Sequence, residues 1–245
     1  IQDLLAALSG SAWFCVLDLK SEYWQVALRP EDREKTVFSI YQKGLWQFKV
    51  MPFGLCNAPA TFQRLMERVI PANLALTYLD DLIIHGPDFE TVLGKLERVL
   101  ECLKKANLQI NLKKCTFFKQ ETRYLGHIIS ANGVQTDPTK TQAVAEWPTP
   151  KTKKELHSFL GFCSYYRRFV KDFAERAKPL TRLTEAHTQF CWDAECEKSF
   201  DDLKKSMMSA KLLAFPVLTE PFILDCDASA HGVGAVLSQV HGGEE

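Results

Sequence analysis

Apolar positions in the first half of the chain switch between strand-like and helix-like spacing, and the switches mark the elements. Phe14-Cys15-Val16-Leu17 is an unbroken apolar run that stops on an acid at Asp18, with Leu19 after it, and predicts a buried strand. Residues 37–40 and 45–50 flank Lys43-Gly44 and predict paired strands. Asn57 stands at a cap position with Pro59 in the first turn, and Phe62, Leu65, Met66, Val69 and Ile70 share one face of a helix running to about residue 70. An apolar approach (Leu74, Ala75, Leu76, Tyr78, Leu79), the pair Asp80-Asp81 and an apolar exit (Leu82, Ile83, Ile84) predict a hairpin with the acids at its turn. Asp88 caps a second helix, in which Phe89, Val92, Leu93, Leu96, Val99, Leu100 and Leu103 keep the helical period. A further hairpin runs from Tyr124 to Ile129 and back, turning at Asn132-Gly133. This order predicts an α+β fold, a sheet layered with helices on one face. It brings Asp18, at a strand end, within reach of the Asp80-Asp81 turn.

Beyond Asp137-Pro138 the pattern becomes helical. Pro138, Pro148 and Pro150 punctuate a short helix. Leu156, Phe159, Leu160, Cys163, Tyr166, Phe169 and Val170 mark a longer amphipathic helix, and a third is expected from Asp193 to about residue 208. Phe222-Ile223-Leu224-Asp225-Cys226-Asp227 then starts a strand with residues 232–237 as its hairpin partner. A single hairpin is too little for a domain, so the last unit is expected to be cut short. The expected units are residues 1–135, 136–209 and 210–245.

Composition narrows the class. With 46% apolar and 24% charged residues among 245, the chain suits a soluble globular protein of one large or two ordinary domains. No run approaches the ~18 apolar residues of a membrane span, and the start is not a signal peptide. Ile1 is not an initiator methionine, so a fragment or processed piece of a longer protein is expected. The eight cysteines form no close CxxC pair, and Cys191 with Cys196 lacks the histidines of a zinc site; a reduced, intracellular protein is expected. The formal net charge is zero, but residues 151–182 carry nine Lys/Arg against three Asp/Glu among several aromatics. Lys113, Lys114, Lys119 and Arg123 form a second basic patch. Such stripes suit a polyanionic backbone, and equally a solvated helix face.

The candidate chemistry lies in the carboxylates. Asp80-Asp81 alone reads as a polar hairpin tip. With Asp18 it supplies three acids across a sheet surface, where crowded like charges favour a hard divalent cation. That set is the minimum for two magnesium ions in phosphoryl transfer, which admits a nuclease, a phosphatase or a polymerase.

The residues resemble a known family. LDLKSEYWQV, TVFS, FKVMPFGLCNAPATFQRLM, YLDDLIIH, LKKC, RYLGHIIS and FLGFCSYYRRFV occur in the order seen in reverse transcriptases of gypsy-type long-terminal-repeat retrotransposons. The resemblance spans nearly the whole chain. YLDD alone is a weak signal, whereas seven ordered blocks together are highly specific. It implies a right-hand polymerase palm with partial fingers over 1–135, a helical thumb and linker over 136–209, and the first hairpin of a ribonuclease H-like domain over 210–245.

The resemblance also implies site residues. Asp18, Asp80 and Asp81 match the polymerase carboxylates, with Asp18 and Asp80 the direct ligands of two Mg2+ ions (Mn2+ as the alternative) and the Leu19 carbonyl a further one. Tyr23 matches an aromatic gate that excludes a ribose 2′-hydroxyl; a ring packed in the core is its plain alternative. Pro52, Phe53 and Gly54 match a loop against the incoming nucleotide, and Asn57 with Pro59 begins the helix beneath the template. Lys114 matches a proposed proton donor to pyrophosphate, with Lys113 a near-equal candidate. Tyr124, Leu125, Gly126 and His127 match the hairpin gripping the primer end, His127 as a backbone or phosphate contact. Lys154, Arg167, Arg168 and Lys171 would hold duplex phosphates from the thumb. Asp227 matches the first ribonuclease H carboxylate, or its counterpart in a non-catalytic connection domain. The remaining acids would lie beyond Glu245, so no ribonuclease H activity is expected from this chain alone.

Two departures stand out. Glu22 replaces a small residue beside the gate, adding an acid near the nucleotide or facing solvent. The family's basic fingers segment would precede Ile1. The implied partners are primer–template nucleic acid (RNA/DNA and DNA/DNA), deoxynucleotides, the rest of the polyprotein and a second copy as a dimer, with no membrane. The implied location is a cytoplasmic virus-like particle, or the nucleus. A truncated or domesticated nucleic-acid-binding relic is the alternative function.

Overall fold

The computed structural model of the chain describes residues 1–209, 212–217, 219–229 and 232–240. The predicted boundary at 210 and the last five positions of the 210–245 unit lie outside the described residues, as do Ala230 and His231 of the terminal hairpin block.

A four-stranded sheet forms the centre of the first unit. Strand β1 (Trp13–Asp18) pairs antiparallel with β5 (Asp81–Gly86) and β6 (Thr116–Lys119), and β4 (Leu76–Tyr78) lies outside β5. Alternation along β1 sorts its side chains between two cores. Cys15 and Leu17, with Leu82 and Ile84 of β5, pack against helices α2 (Ala58–Val69) and α3 (Phe89–Lys105) through Phe62, Met66, Val92, Leu96 and Val99. Phe14, Val16 and Ile83 face the other way, onto Leu5 and Leu8 at the N-terminus and onto Tyr124, Ile129 and Val134. Asp18 and Asp81 continue this second face, so the acids lie opposite the two long helices. Helices therefore cover one face as predicted, while the opposite face is covered below the acids by helix α1 (Gln2–Ala6) and a small sheet.

Several predicted boundaries shift. The early hairpin is β2 (Phe38–Ile40) with β3 (Gly44–Trp46), shorter than predicted because pairing stops at Phe38 with Trp46, while Gly44, at φ +78°, enters the strand rather than the turn. Asn57 precedes α2 but makes no side-chain cap. Its backbone is helical (φ −90°, ψ −1°), not extended, so its amide cannot fold back onto the first turn. Asp88 does cap α3, accepting from the Thr91 N–H at 2.8 Å.

The single hairpin expected after Tyr124 is two hairpins: β7 (Glu121–Tyr124), β8 (His127–Ser130) and β9 (Gly133–Thr136), with turns at Leu125-Gly126 and Ala131-Asn132. Gly133 is required by a close approach. A Cβ there would lie 2.1 Å from the carbonyl oxygen of Leu213, which exchanges two backbone hydrogen bonds with Val134. With φ at +138° as well, Gly133→Ala is expected to cost about 2 kcal/mol and strip residues 212–217 from β9. Urea unfolding with hydrogen exchange at Leu213 measures both effects.

The helical unit holds four helices rather than three: α4 (Pro138–Ala145), α5 (Lys153–Tyr165), α6 (Phe173–Thr184) and α7 (Ala194–Met208). Asp137, Thr152 and Asp193 cap α4, α5 and α7. The predicted long helix breaks after Tyr165 into a short 3-10 turn, Arg167–Phe169, so Tyr166, Phe169 and Val170 lie past its end. Leu156, Phe159, Cys163, Leu180, Phe200, Leu203 and Met207 form this unit's core. Beyond it, β10 (Ile223–Ser229) and β11 (Gly232–Ser238) pair as predicted, largely exposed on both faces.

Candidate active site

The end of β1 meets the β4–β5 turn. Asp18 pairs in register with Asp81, and Tyr78 with Asp81 across the turn formed by Leu79 and Asp80. The Leu19 N–H donates to the Asp80 carbonyl at 3.2 Å, locking the turn to the continuing strand. Leu79 adopts φ +55°, a strained value for a branched residue. A side chain that sequence reasoning left without a role holds it there. Gln63 of α2 accepts from the Leu79 N–H at 2.7 Å and donates to the Thr77 carbonyl at 3.3 Å. An amide at a helix position carries no sequence signature for such a clamp.

The acids are crowded and short of partners. Burial, then the charges of Asp80 and Asp18, push the Asp81 carboxyl up to about 6, against Lys114. Among the described residues, Oδ1 of Asp18 is buried with no hydrogen-bond partner, while its Oδ2 accepts from Lys114 Nζ at 3.1 Å. Lys114 rather than Lys113 thus reaches the cluster. The Asp18 hydrogen bond and charge push the Lys114 ammonium up, so it stays protonated at neutral pH. Glu22 belongs to the same neighbourhood: burial, then Asp80 and Asp18, raise its carboxyl. Its interaction partners are therefore the acids and Lys114, not bulk solvent alone.

An orphaned buried carboxylate oxygen within a crowd of acids fits a hard divalent cation, because nothing else on the cluster satisfies it. Among the described residues, no three His, Cys, Asp or Glu side chains converge closely enough to hold an ion as they stand. Binding would have to draw the acids together and displace Lys114 from Asp18.

The raised Asp81 has a consequence for stability. Folded Asp81 holds its proton more tightly than an ordinary carboxyl at 3.8, so ionising it costs stability above about 6 and nothing below the ordinary value. Discounted for solvent screening of a partly exposed group, Asp81→Asn is expected to stabilise the fold by about 1 kcal/mol near pH 8, and not at all near pH 4. Urea unfolding at the two pH values measures the difference.

Tyr23 sits on a 3-10 turn, Glu22–Gln25, that leaves β1 through Ser21 in the left-handed region. Its ring packs 5.1 Å from Phe53 and 5.8 Å, edge-on, from Phe62. Burial, then the charges of Glu22 and Asp80, raise its phenol, which places ring and acids together. Pro52 is buried beneath this loop, Phe53 is exposed, and Gly54 holds φ +93°. Asn57 is exposed, and Pro59 is half-buried at the start of α2.

The Leu125-Gly126 turn is fastened to the helical unit. Tyr165 donates to the Leu125 carbonyl at 2.7 Å and Tyr166 to the Gly126 carbonyl at 2.8 Å. His127 is buried, its Nδ1 2.8 Å from the Leu125 carbonyl and its ring against Tyr165, Tyr166 and Phe169. Its side chain therefore braces the turn, which corrects the phosphate-contact option for it. Tyr124 is buried, its hydroxyl without a partner among the described residues, and burial, then Asp81 and Tyr78, push that phenol up. Lys154, Arg167, Arg168 and Lys171 are all exposed. Lys154 lies at the start of α5, so roughly 20 Å of helix separates it from the other three. Asp227 is exposed on β10, opposite Gly234 of β11.

Residues 2–129 match the family described as reverse transcriptase (RNA-dependent DNA polymerase), and residues 192–245 match an RNase H-like domain found in reverse transcriptase. The second match begins before α7, whose Phe200, Leu203 and Met207 pack in the helical core. The chain is 41% identical to the retrovirus-related Pol polyprotein from transposon opus of Drosophila melanogaster over 98% of its length, and 38% identical to that from transposon gypsy of the same species over 96%. It spans about a quarter of each relative, 25% and 24%. Among solved structures, foamy viral protease-reverse transcriptase in complex with double-stranded DNA matches with a TM-score of 0.83 at 24% identity, covering 93% of this chain and 41% of that one. The same viral protein with an RNA/DNA hybrid matches with a TM-score of 0.80 at 22% identity, covering 96% and 34%. The fold is that of a reverse transcriptase polymerase.

Proposed function

Because the chain belongs to the reverse transcriptase family, we propose that it is the polymerase part of a gypsy-type retrotransposon polyprotein that adds deoxynucleotides to a primer 3′-hydroxyl on an RNA or DNA template. The observation that carries this reading is the register of Asp18 against Asp81 with Asp80 on the adjoining turn, beside Tyr23 and Lys114. A nuclease or phosphatase would need the acids but not the aromatic floor under a sugar.

Asp18, Asp80, Asp81 and the Leu19 carbonyl would hold two magnesium ions, with manganese as the alternative, and these would activate the primer hydroxyl and neutralise charge on the leaving pyrophosphate. The chain's own residues do the rest. The Tyr23 ring, backed by Phe53 and Phe62, blocks the space of a ribose 2′-hydroxyl. Lys114, kept protonated by Asp18, would give its proton to the leaving pyrophosphate. Pro52, Phe53 and Gly54 line the nucleotide, Asn57 and Pro59 the template, and the Leu125-Gly126 turn with Tyr124 and His127 carries the primer end. Arg167, Arg168 and Lys171, with Lys154 farther along the helix, take duplex phosphates. Residues 1–135 act as palm with partial fingers, 136–209 as thumb and linker, and 210–245 as the start of a ribonuclease H-like domain in which Asp227 is one carboxylate.

The test is extension of a labelled DNA primer on an RNA template by the complete polymerase that carries this chain. Extension with Mg2+ that stops on chelation supports the reading; binding of primer–template without extension favours a non-catalytic relic.

A further inference from the structure

The gate turn is held by a side chain outside the roles assigned above. Gln25 closes the 3-10 turn that carries Tyr23, and its amide makes three hydrogen bonds. Its Oε1 accepts from the Gln109 N–H at 2.6 Å. Its Nε2 donates to the Gln109 carbonyl at 3.1 Å and to the Lys20 carbonyl at 2.6 Å. Side chain and backbone pair here as two strands would, since the amide meets both the donor and the acceptor of one residue.

The segment it grips is the one that builds the acidic end of β1. The Lys20 N–H also donates to Gln109, Leu19 bridges Ile110, and the Asn111 N–H donates to the Asp18 carbonyl at 2.8 Å. Asn111 in turn accepts from the Lys114 N–H at 2.9 Å. One amide thus ties the Tyr23 turn, the Asp18 strand end and the Lys114 segment into a single frame. Past the turn, Val26 accepts from the Met51 N–H at 2.8 Å, which anchors its far end; the Tyr23 ring itself rests on apolar contacts, which limit depth but tolerate sliding.

We infer that Gln25 is a positioning residue that fixes the depth of the Tyr23 ring beneath the nucleotide sugar, and so sets the discrimination against ribonucleotides. The inference rests on the gate reading of Tyr23. Without the amide, the turn can rise from the 107–111 segment and the ring follows it. Gln25→Glu removes both donated bonds and turns a carboxylate onto two carbonyls, so it should fare no better than Gln25→Ala.

The test compares single-nucleotide incorporation of dNTP and rNTP by the complete polymerase bearing Tyr23→Ala, Gln25→Ala, Gln25→Glu or Gln109→Ala, well below each variant's melting temperature. Both Gln25 variants should lower the dNTP/rNTP ratio of kcat/KM roughly tenfold, mainly through tighter use of rNTP. Gln109→Ala keeps the backbone partners and should keep the ratio. A merely structural role for Gln25 would lower both efficiencies equally, and an unchanged ratio in its variants overturns the inference. If Tyr23→Ala itself leaves the ratio unchanged, the gate reading fails, and this inference with it.

Discussion

Asp80→Asn is expected to lower primer extension by roughly three orders of magnitude while leaving primer–template affinity within about twofold. The substitution keeps the side chain's size. It also keeps the bonds that shape the turn, because Gln63 grips Leu79 and Thr77, and Leu19 donates to the Asp80 backbone carbonyl. What disappears is one anionic oxygen donor beside Asp18, whose buried Oδ1 already lacks a partner. In the proposed reading, duplex affinity would reside in exposed cations of the helical unit, remote in sequence and contributing through phosphate charge. Extension assays and fluorescence anisotropy on one preparation separate the two effects.

Tyr23→Ala is expected to raise ribonucleotide use relative to deoxynucleotides by about a hundredfold. In the proposed gate the discriminating group would be the ring, which rests on Phe53 and on fully buried Phe62 and so has little room to retreat from an added hydroxyl. Tyr23→Phe keeps the ring and should keep the discrimination. Competitive incorporation of a matched dNTP and rNTP reads both variants. A loss of activity toward both substrates alike would mean that the ring supports the core and not the sugar.

The acidic site was legible because it is made where secondary-structure signals are strongest. An apolar run ending on Asp18 and a doublet between two apolar flanks can pair in few ways, and the register of Asp18 with Asp81 follows. The helical unit was read less fully for a physical reason. Pro179 lies inside α6 and interrupts the pattern, while the helix's buried residues are Ala177, Leu180 and Leu183, with Phe173 partly buried at its start. The β7–β8 turn left no mark in the apolar pattern, and only the family resemblance pointed to it, because Leu125 and Gly126 carry it at positive φ within a run that reads as strand. Gln63 and Gln25 were invisible as clamps on the backbone. Each acts by meeting backbone groups distant in sequence, and such meetings exist only once the fold has formed. The role of Gly133 was misread likewise: its neighbour is Leu213, some eighty residues on.

The central claim, that the Asp18, Asp80 and Asp81 cluster performs templated nucleotide addition, is tested most directly by single-turnover incorporation of one nucleotide opposite each of the template bases in turn. The expected result is Mg2+-dependent addition of the complementary deoxynucleotide alone, lost in Asp80→Asn with the primer–template still bound. Addition that ignores the template base, or that survives Asp80→Asn, would contradict it.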